Sequence, residues 1–230
     1  MDERYLRWFW KKYINVNLYR VVSEEYLSEI KKKGIEPNKN PFYKQIPQIK
    51  RLFDLLLKLE ENGFGHQRTW GSQIVDAKKI IAVSTTDIDN PYVDFTASYK
   101  KTYYYRKHRG GALVTTIRAI TSDILERKPA LSKEELELVE NLHEWTIIKS
   151  SFINRVLFFK GSSKYFETAH FQMMGSDKDY IESLFGRYEH FKAIIEKNGL
   201  EVYESYLKDK DTFYLRAVQK IPASEIIKII

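Results

Sequence analysis

The 230-residue sequence predicts an α+β fold in one compact domain, 1–230, with a mixed or antiparallel sheet flanked by helices. Three observations carry that expectation. A strand-like segment near the start runs straight into a capped helix. The middle of the chain mixes helical spacing with short apolar runs. The C-terminal section alternates as short strands do.

Composition narrows the function classes. Hydrophobic residues make up 43% of the chain, enough to bury a core. Its apolar runs fall far short of the ~20 residues a membrane-spanning helix needs. The N-terminal MDERYLRWFWKKYI is charged and aromatic, lacks the continuous apolar core of a signal peptide, and reads as an amphipathic helix over 1–14. There is no cysteine, which excludes disulfides, thiolate nucleophiles and cysteine-based metal sites. His66, His108, His143, His170 and His190 show no HExxH or other close ligand spacing, so no metal is expected. A cytoplasmic location is the expectation. The net charge of +7 favours an anionic partner, nucleic acid or an acidic protein. Charged residues at 30% equally suit the surface of a thermophile's protein.

Asn15–Val22 reads as a strand, rich in branched and aromatic residues. Ser23 caps the following helix, Glu24 and Glu25 lie in its first turn, Lys31–Lys33 suit its last, and Gly34 closes it. Arg20 therefore sits near a strand end; alone, it is an ordinary surface arginine. Pro37 to Pro47 is a proline-bearing loop. Ile49, Leu52, Phe53, Leu56 and Leu59 then recur at helical spacing until Gly63. Gly63–Gly71 is glycine-punctuated, and 60–75 has the composition of a lid; it lacks the Lys-Ser/Thr ending of a phosphate-binding loop.

The stretch from Ile80 to Ile120 is the most informative. Ile80–Val83 reads as an apolar strand ending in Ser84-Thr85-Thr86. A tyrosine-rich helix is expected over about 93–108, with Phe95, Tyr99 and Tyr103 on one face. Lys100, Lys101, Arg106, Lys107 and Arg109 lie on the others or at its end. Tyrosines at that spacing are usually core, and cations at a helix C-terminus suit the dipole. The same residue types also stack bases and meet the phosphates of a single strand. Gly110-Gly111 turns the chain into a further strand over Ala112–Ile120.

Residues 121–175 read as a candidate insertion. Within them Ser132-Lys133-Glu134-Glu135 is a capping box opening an acidic helix with Leu136, Val139, Leu142 and Trp145. Phe152–Lys160 fits a buried strand or a helix end. Asp177–Lys197 is expected as one helix, with Ile181, Leu184, Tyr188, Phe191 and Ile195 inward. Leu200–Glu204, Thr212–Val218 and Ile226–Ile230 read as strands, the first two joined by a hairpin turn at Lys208–Asp211.

The order of Leu18-Tyr19-Arg20, a helix ending at Gly34, Val83-Ser84-Thr85-Thr86, an aromatic helix and Gly110-Gly111-Ala112-Leu113-Val114 resembles the ADP-ribosyltransferase-like fold. Within that group it is most similar to the arginine-type clade, whose members share an arginine on the first core strand, Ser-Thr-Ser on the second and a late glutamate. The resemblance spans 16–120 and, more loosely, 200–230. It implies a split sheet, with NAD as substrate for ADP-ribosyl transfer to a macromolecule or for simple hydrolysis. It further implies that Arg20 holds the NAD pyrophosphate or ribose, a pairing that suits a planar guanidinium. Ser84, with Thr85 beside it, would brace the nicotinamide ribose, and Tyr99 or Tyr103 would stack on a ring. Glu204 or Glu201 would stabilise the cationic sugar as nicotinamide leaves. The chain departs from the pattern at Thr86 and in lacking a clean Glu-x-Glu. On a strand, Glu201 and Glu204 would face opposite sides, so at most one would serve. The alternative is a non-enzymatic nucleic-acid-binding module built on 99–109, with Lys100, Lys101, Arg106, Lys107 and Arg109 as its contacts.

Overall fold

The computed structural model describes residues 1–14, 16–37, 40–70, 73–89, 93–168, 177–208 and 214–230. Its α-helices are α1 (Glu3–Tyr13), α2 (Leu27–Lys33), α3 (Ile46–Glu61), α4 (Ala77–Asp89), α5 (Tyr99–Lys107), α6 (Gly111–Arg127), α7 (Lys133–Ser151), α8 (Asp177–Leu184), α9 (Tyr188–Asn198) and α10 (Leu200–Lys208). Its strands are β1 (Leu18–Ser23), β2 (Arg68–Trp70), β3 (Gln73–Val75), β4 (Asp94–Thr96), β5 (Asn154–Phe159), β6 (Phe166–Thr168), β7 (Tyr214–Ala217) and β8 (Ile226–Ile229). The fold is α+β with an antiparallel sheet, as expected. Where the sequence reads as one compact domain, the chain groups into two compact units: Met1–Pro37 with Tyr92–Arg106 and Arg155–Ile230, and Asn38–Pro91 with Lys107–Asn154.

The first unit is built on a six-stranded sheet in the order β6-β7-β4-β1-β5-β8. The register sets Tyr19 against Thr96 and Thr96 against Tyr214, so one face carries this row across β1, β4 and β7. Alternation sends Leu18, Phe95 and Leu215 to the opposite face. There they join Phe159, Phe166, Tyr180, Ile181, Leu184 and Phe191 in a core closed by α8, α9 and the apolar side of α1. Helix α1 starts on Asp2, whose carboxylate accepts from the Arg4 backbone N–H at 2.9 Å, and buries Leu6 and Phe9. The sequence expects a single helix over Asp177–Lys197. It is two, α8 and α9, broken at Gly186 with φ 95°, and the five expected inward residues are all buried. Strands β5 and β6 lie inside the 121–175 stretch read as an insertion, and both belong to the main sheet.

The second unit packs α3, α4, α6 and α7 around Ile49, Leu52, Leu56, Ile80, Ile117, Ile120, Val139 and Leu142. Helices α3 and α7 fall where their spacing predicts. The Ser132–Glu135 capping box is closed in both directions, at 3.2 and 2.8 Å. Of the apolar residues of α7, Leu138, Val139 and Leu142 are buried and Leu136 is exposed. Residues 60–75, read as a lid, hold the end of α3 and the antiparallel β2–β3 pair.

Three expected strands are helices. Ile80–Val83 lies inside α4, because Ala77, Ile80, Ser84 and Ile88 make a buried stripe at helical spacing and Asp76 caps the start, accepting from the Lys79 backbone N–H at 2.9 Å. Ala112–Ile120 lies inside α6, where Val114, Ile117, Thr121 and Ile124 form the same kind of stripe. Leu200–Glu204 opens α10, so no hairpin joins it to β7; the turn placed at 208–211 lies largely outside the described residues. The helix expected over 93–108 is shorter, with β4 taking its first part.

Candidate nucleic-acid interface

Helix α5 has the sequence YKKTYYYRK, and its one buried residue is Thr102. Thr102 spends its hydroxyl proton on the Tyr99 carbonyl at 2.6 Å. Tyr99, Tyr103, Tyr104 and Tyr105 are 45%, 64%, 60% and 38% exposed. Lys100 and Arg106 are exposed beside them, and Lys101 is half-buried. The expectation that Tyr99 and Tyr103 form core is therefore overturned: three neighbouring tyrosines cannot all face inward on a helix turning 100° per residue.

The helix meets the sheet at its two ends. Tyr99 packs against Tyr19 and Phe158, with ring centroids 5.4 and 5.6 Å away, and Tyr19 meets Phe158 edge-on at 5.0 Å. Tyr105 shares a hydroxyl–hydroxyl hydrogen bond of 2.8 Å with Tyr214. Burial, then that hydrogen bond, pushes the Tyr105 phenol upward, so it stays neutral at ordinary pH. The tyrosines between these anchors present ring surface and cations together. A rigid helix held at both ends keeps that display preorganised.

The structure distributes the remaining expected site residues as follows. Arg20 lies on β1, one residue from Tyr19 and so on the other face of the sheet, and its Nη1 donates to the Asp94 backbone carbonyl at 2.7 Å. Ser84 and Thr85 lie within α4 in the second unit, Ser84 buried, rather than at a strand end. Glu201 and Glu204 sit on α10, where a spacing of three puts them on the same side; Glu201 is exposed and Glu204 half-buried. Lys107 and Arg109 belong to the second unit.

Sequence reasoning missed Thr96 and Ser98. Both are buried, and the Ser98 backbone N–H donates to Thr96 Oγ1 at 3.0 Å as β4 ends. The missed signal is DFTAS before the tyrosines: a branched and aromatic strand, then a serine–threonine turn. Beside it, Asp94 pairs with Arg216 across β4 and β7 at 3.0 and 3.4 Å.

Among the described residues, no group of His, Asp and Glu gathers as a metal site would, and no helix is long and apolar enough to cross a membrane. Comparison with protein-family models, curated proteins and solved structures returns no match.

Proposed function

We propose that the protein binds single-stranded nucleic acid through α5. The observation that carries this reading is the exposure of Tyr103 and Tyr104 beside Lys100 and Arg106 on a helix that buries only Thr102. Base–tyrosine stacking tolerates any base, because every base has a π-face, and the cations meet the phosphates. The net charge of +7 adds long-range attraction for a polyanion. The test is fluorescence anisotropy of a labelled oligothymidylate across a salt series. Affinity should fall steeply with salt through counterion release. Tyr103→Ala should cost about 1–3 kcal/mol of binding. Charge reversal at Lys100, Lys101, Arg106 and Lys107 should abolish binding, and unchanged affinity in that variant disposes of the reading.

A second reading has its own observation. β1, carrying Arg20, is the first strand of the main sheet, and β4, the second in chain order, is its hydrogen-bonded neighbour. The ADP-ribosyltransferase resemblance asks for hydroxyl residues on that second strand, where β4 carries Thr96, paired with Tyr19. In this reading NAD is the substrate, and Glu204 or Glu201 supplies the late acid. Incubation with NAD should release nicotinamide, and Arg20→Ala should lose that release. No release, together with no stabilisation of the protein by NAD, removes this reading and leaves the first untouched.

A further inference from the structure

Helix α1 carries a second basic and aromatic face, on the other side of the main sheet from α5. Its Leu6 and Phe9 join the core that Leu18, Phe95 and Leu215 face, whereas α5 is anchored on Tyr19 and Tyr214. At about 100° per residue, Arg4, Tyr5, Trp8, Lys11 and Lys12 fall within an arc of roughly 120°, turned away from Leu6 and Phe9. All five are exposed, Trp8 by 48%. The acids at the start of α1 lie outside this arc. Asp2 caps the helix, and Glu3 accepts from the Tyr188 hydroxyl at 2.6 Å and pairs with Arg7 at 3.2 Å and Lys192 at 3.1 Å. Arg7, whose guanidinium lies 4.3 Å from the Tyr188 ring centroid, is thereby tied to α9 and is no part of the face.

The needs of the helix explain only part of this face. Lys11 and Lys12 in the last turn suit the dipole, but Arg4 stands in the first turn, where the dipole opposes a cation. Core packing does not explain Trp8, which belongs to a surface cluster. Tyr5 tilts against its ring at 5.5 Å, Tyr13 meets it edge-on at 6.1 Å, and the Lys12 ammonium lies 4.7 Å from its centroid. Trp and Tyr rings with an apolar body and a polar tip, flanked by Lys and Arg, suit the level of lipid headgroups. Arg4 and Lys12 stand about 12 Å apart along the helix axis, so an extended anionic surface serves both and one small anion does not. A nucleic-acid strand fits less well. A base stacking on Trp8 must compete with Lys12 and Tyr5 for the ring, whereas a headgroup layer asks only that the ring sit at its depth.

We infer that α1 docks the protein on an anionic phospholipid surface, with Arg4, Lys11 and Lys12 meeting the headgroups and Trp8 and Tyr5 settling among them. The helix lies on the bilayer and does not cross it, because its apolar side stays in the core of the protein. The contact leaves α5 on the far side of the sheet, turned away from the lipid. The inference therefore does not rest on the nucleic-acid reading, and each can fail alone.

The test is flotation of the full chain with vesicles of phosphatidylcholine alone and of phosphatidylcholine mixed with phosphatidylserine. Binding to the mixed vesicles, weak binding to the neutral ones and release by salt are expected. Each cation near such a surface contributes roughly 5-fold, so Arg4→Gln combined with Lys11→Gln should weaken binding about 25-fold. Trp8→Ala, which removes no charge, should also weaken it, by roughly 5-fold. These side chains are exposed, so the variants should fold, and an unchanged urea midpoint checks that they do. No binding to the mixed vesicles, or equal binding to both kinds, overturns the inference, and neither result depends on a variant. Wild-type binding in the Arg4 and Lys11 double variant, or in Trp8→Ala, overturns it as well. The double variant should retain oligothymidylate binding. Loss of that binding would make nucleic acid the partner of this face and overturn the lipid assignment.

Discussion

Phe95→Ala is expected to destabilise the protein by about 3–5 kcal/mol, the range for an aromatic removed from a packed core. Phe95 is 1% exposed, on a strand paired with β1 on one side and β7 on the other. Its ring meets Phe159 edge-on at 4.8 Å and Phe166 at 5.1 Å, each pair worth about 0.5–1.5 kcal/mol beyond its buried area. Those neighbours sit on β5 and β6, which the sheet holds in place, so they cannot close the cavity left behind. Against a typical total stability of about 5–15 kcal/mol, that loss is large. Urea unfolding checks it: the midpoint should fall sharply while the slope holds. A loss under ~1 kcal/mol, the size of an ordinary surface change, would mean that β4 is not the centre of this core.

The centrality of β4 was the part of the fold least legible in the sequence. A three-residue strand just before a tyrosine run gives alternation no room to show, and Phe95 at helical spacing from Tyr99 and Tyr103 drew the helix too far back. The longer errors share one cause. Ile80–Val83 and Ala112–Ile120 are rich in branched residues, which favour strands weakly, and the packing of α4 and α6 against α3 and α7 overrides that preference. The correct signals were local and polar: the Asp76 cap before α4, and threonines in α6 whose hydroxyls return to the carbonyls of the preceding turn. Helices with unambiguous spacing, α1, α3 and α7, were legible at their starts.

The candidate interface was legible in residue type and misread in exposure. Tyr99 to Arg109 stood out by composition, but a tyrosine's apolar ring and polar hydroxyl suit core and surface equally, so sequence alone favours the commoner core reading. What separates the two is how many neighbouring tyrosines one helix face can bury. Tyr103, Tyr104 and Tyr105 in succession exceed it. Arg20 shows the converse. Its place on a strand that leads into a helix was read correctly, though it lies mid-strand rather than near the end, and β1 alternates Tyr19 and Arg20 to opposite faces.

Gly34→Ala is expected to cost about 2–6 kcal/mol, for two reasons that add. Gly34 ends α2 at φ 81° and ψ −161°, a conformation essentially closed to residues with a Cβ, at a strain of about 1–3 kcal/mol. A Cβ built there would also collide with the Ile221 carbonyl oxygen and reach 3.0 Å from the Pro222 Cα. Neither is the end of a flexible side chain. The backbone at Ile221 is itself pinned by a reciprocal pair of hydrogen bonds with Ile35, at 2.8 and 2.9 Å, so relief of the clash must break that bridge. Crowding of this kind typically adds about 1–3 kcal/mol. Gly63 separates the two contributions. It has a similar φ of 85° but nothing within 4 Å of its virtual Cβ, so Gly63→Ala should lose only the backbone strain. Urea unfolding of both variants should therefore show Gly34→Ala as the more damaging by at least ~1 kcal/mol. Equal losses would mean that the approach of α2 to Ile221 is looser than described, and that Gly34 is required for its dihedral alone.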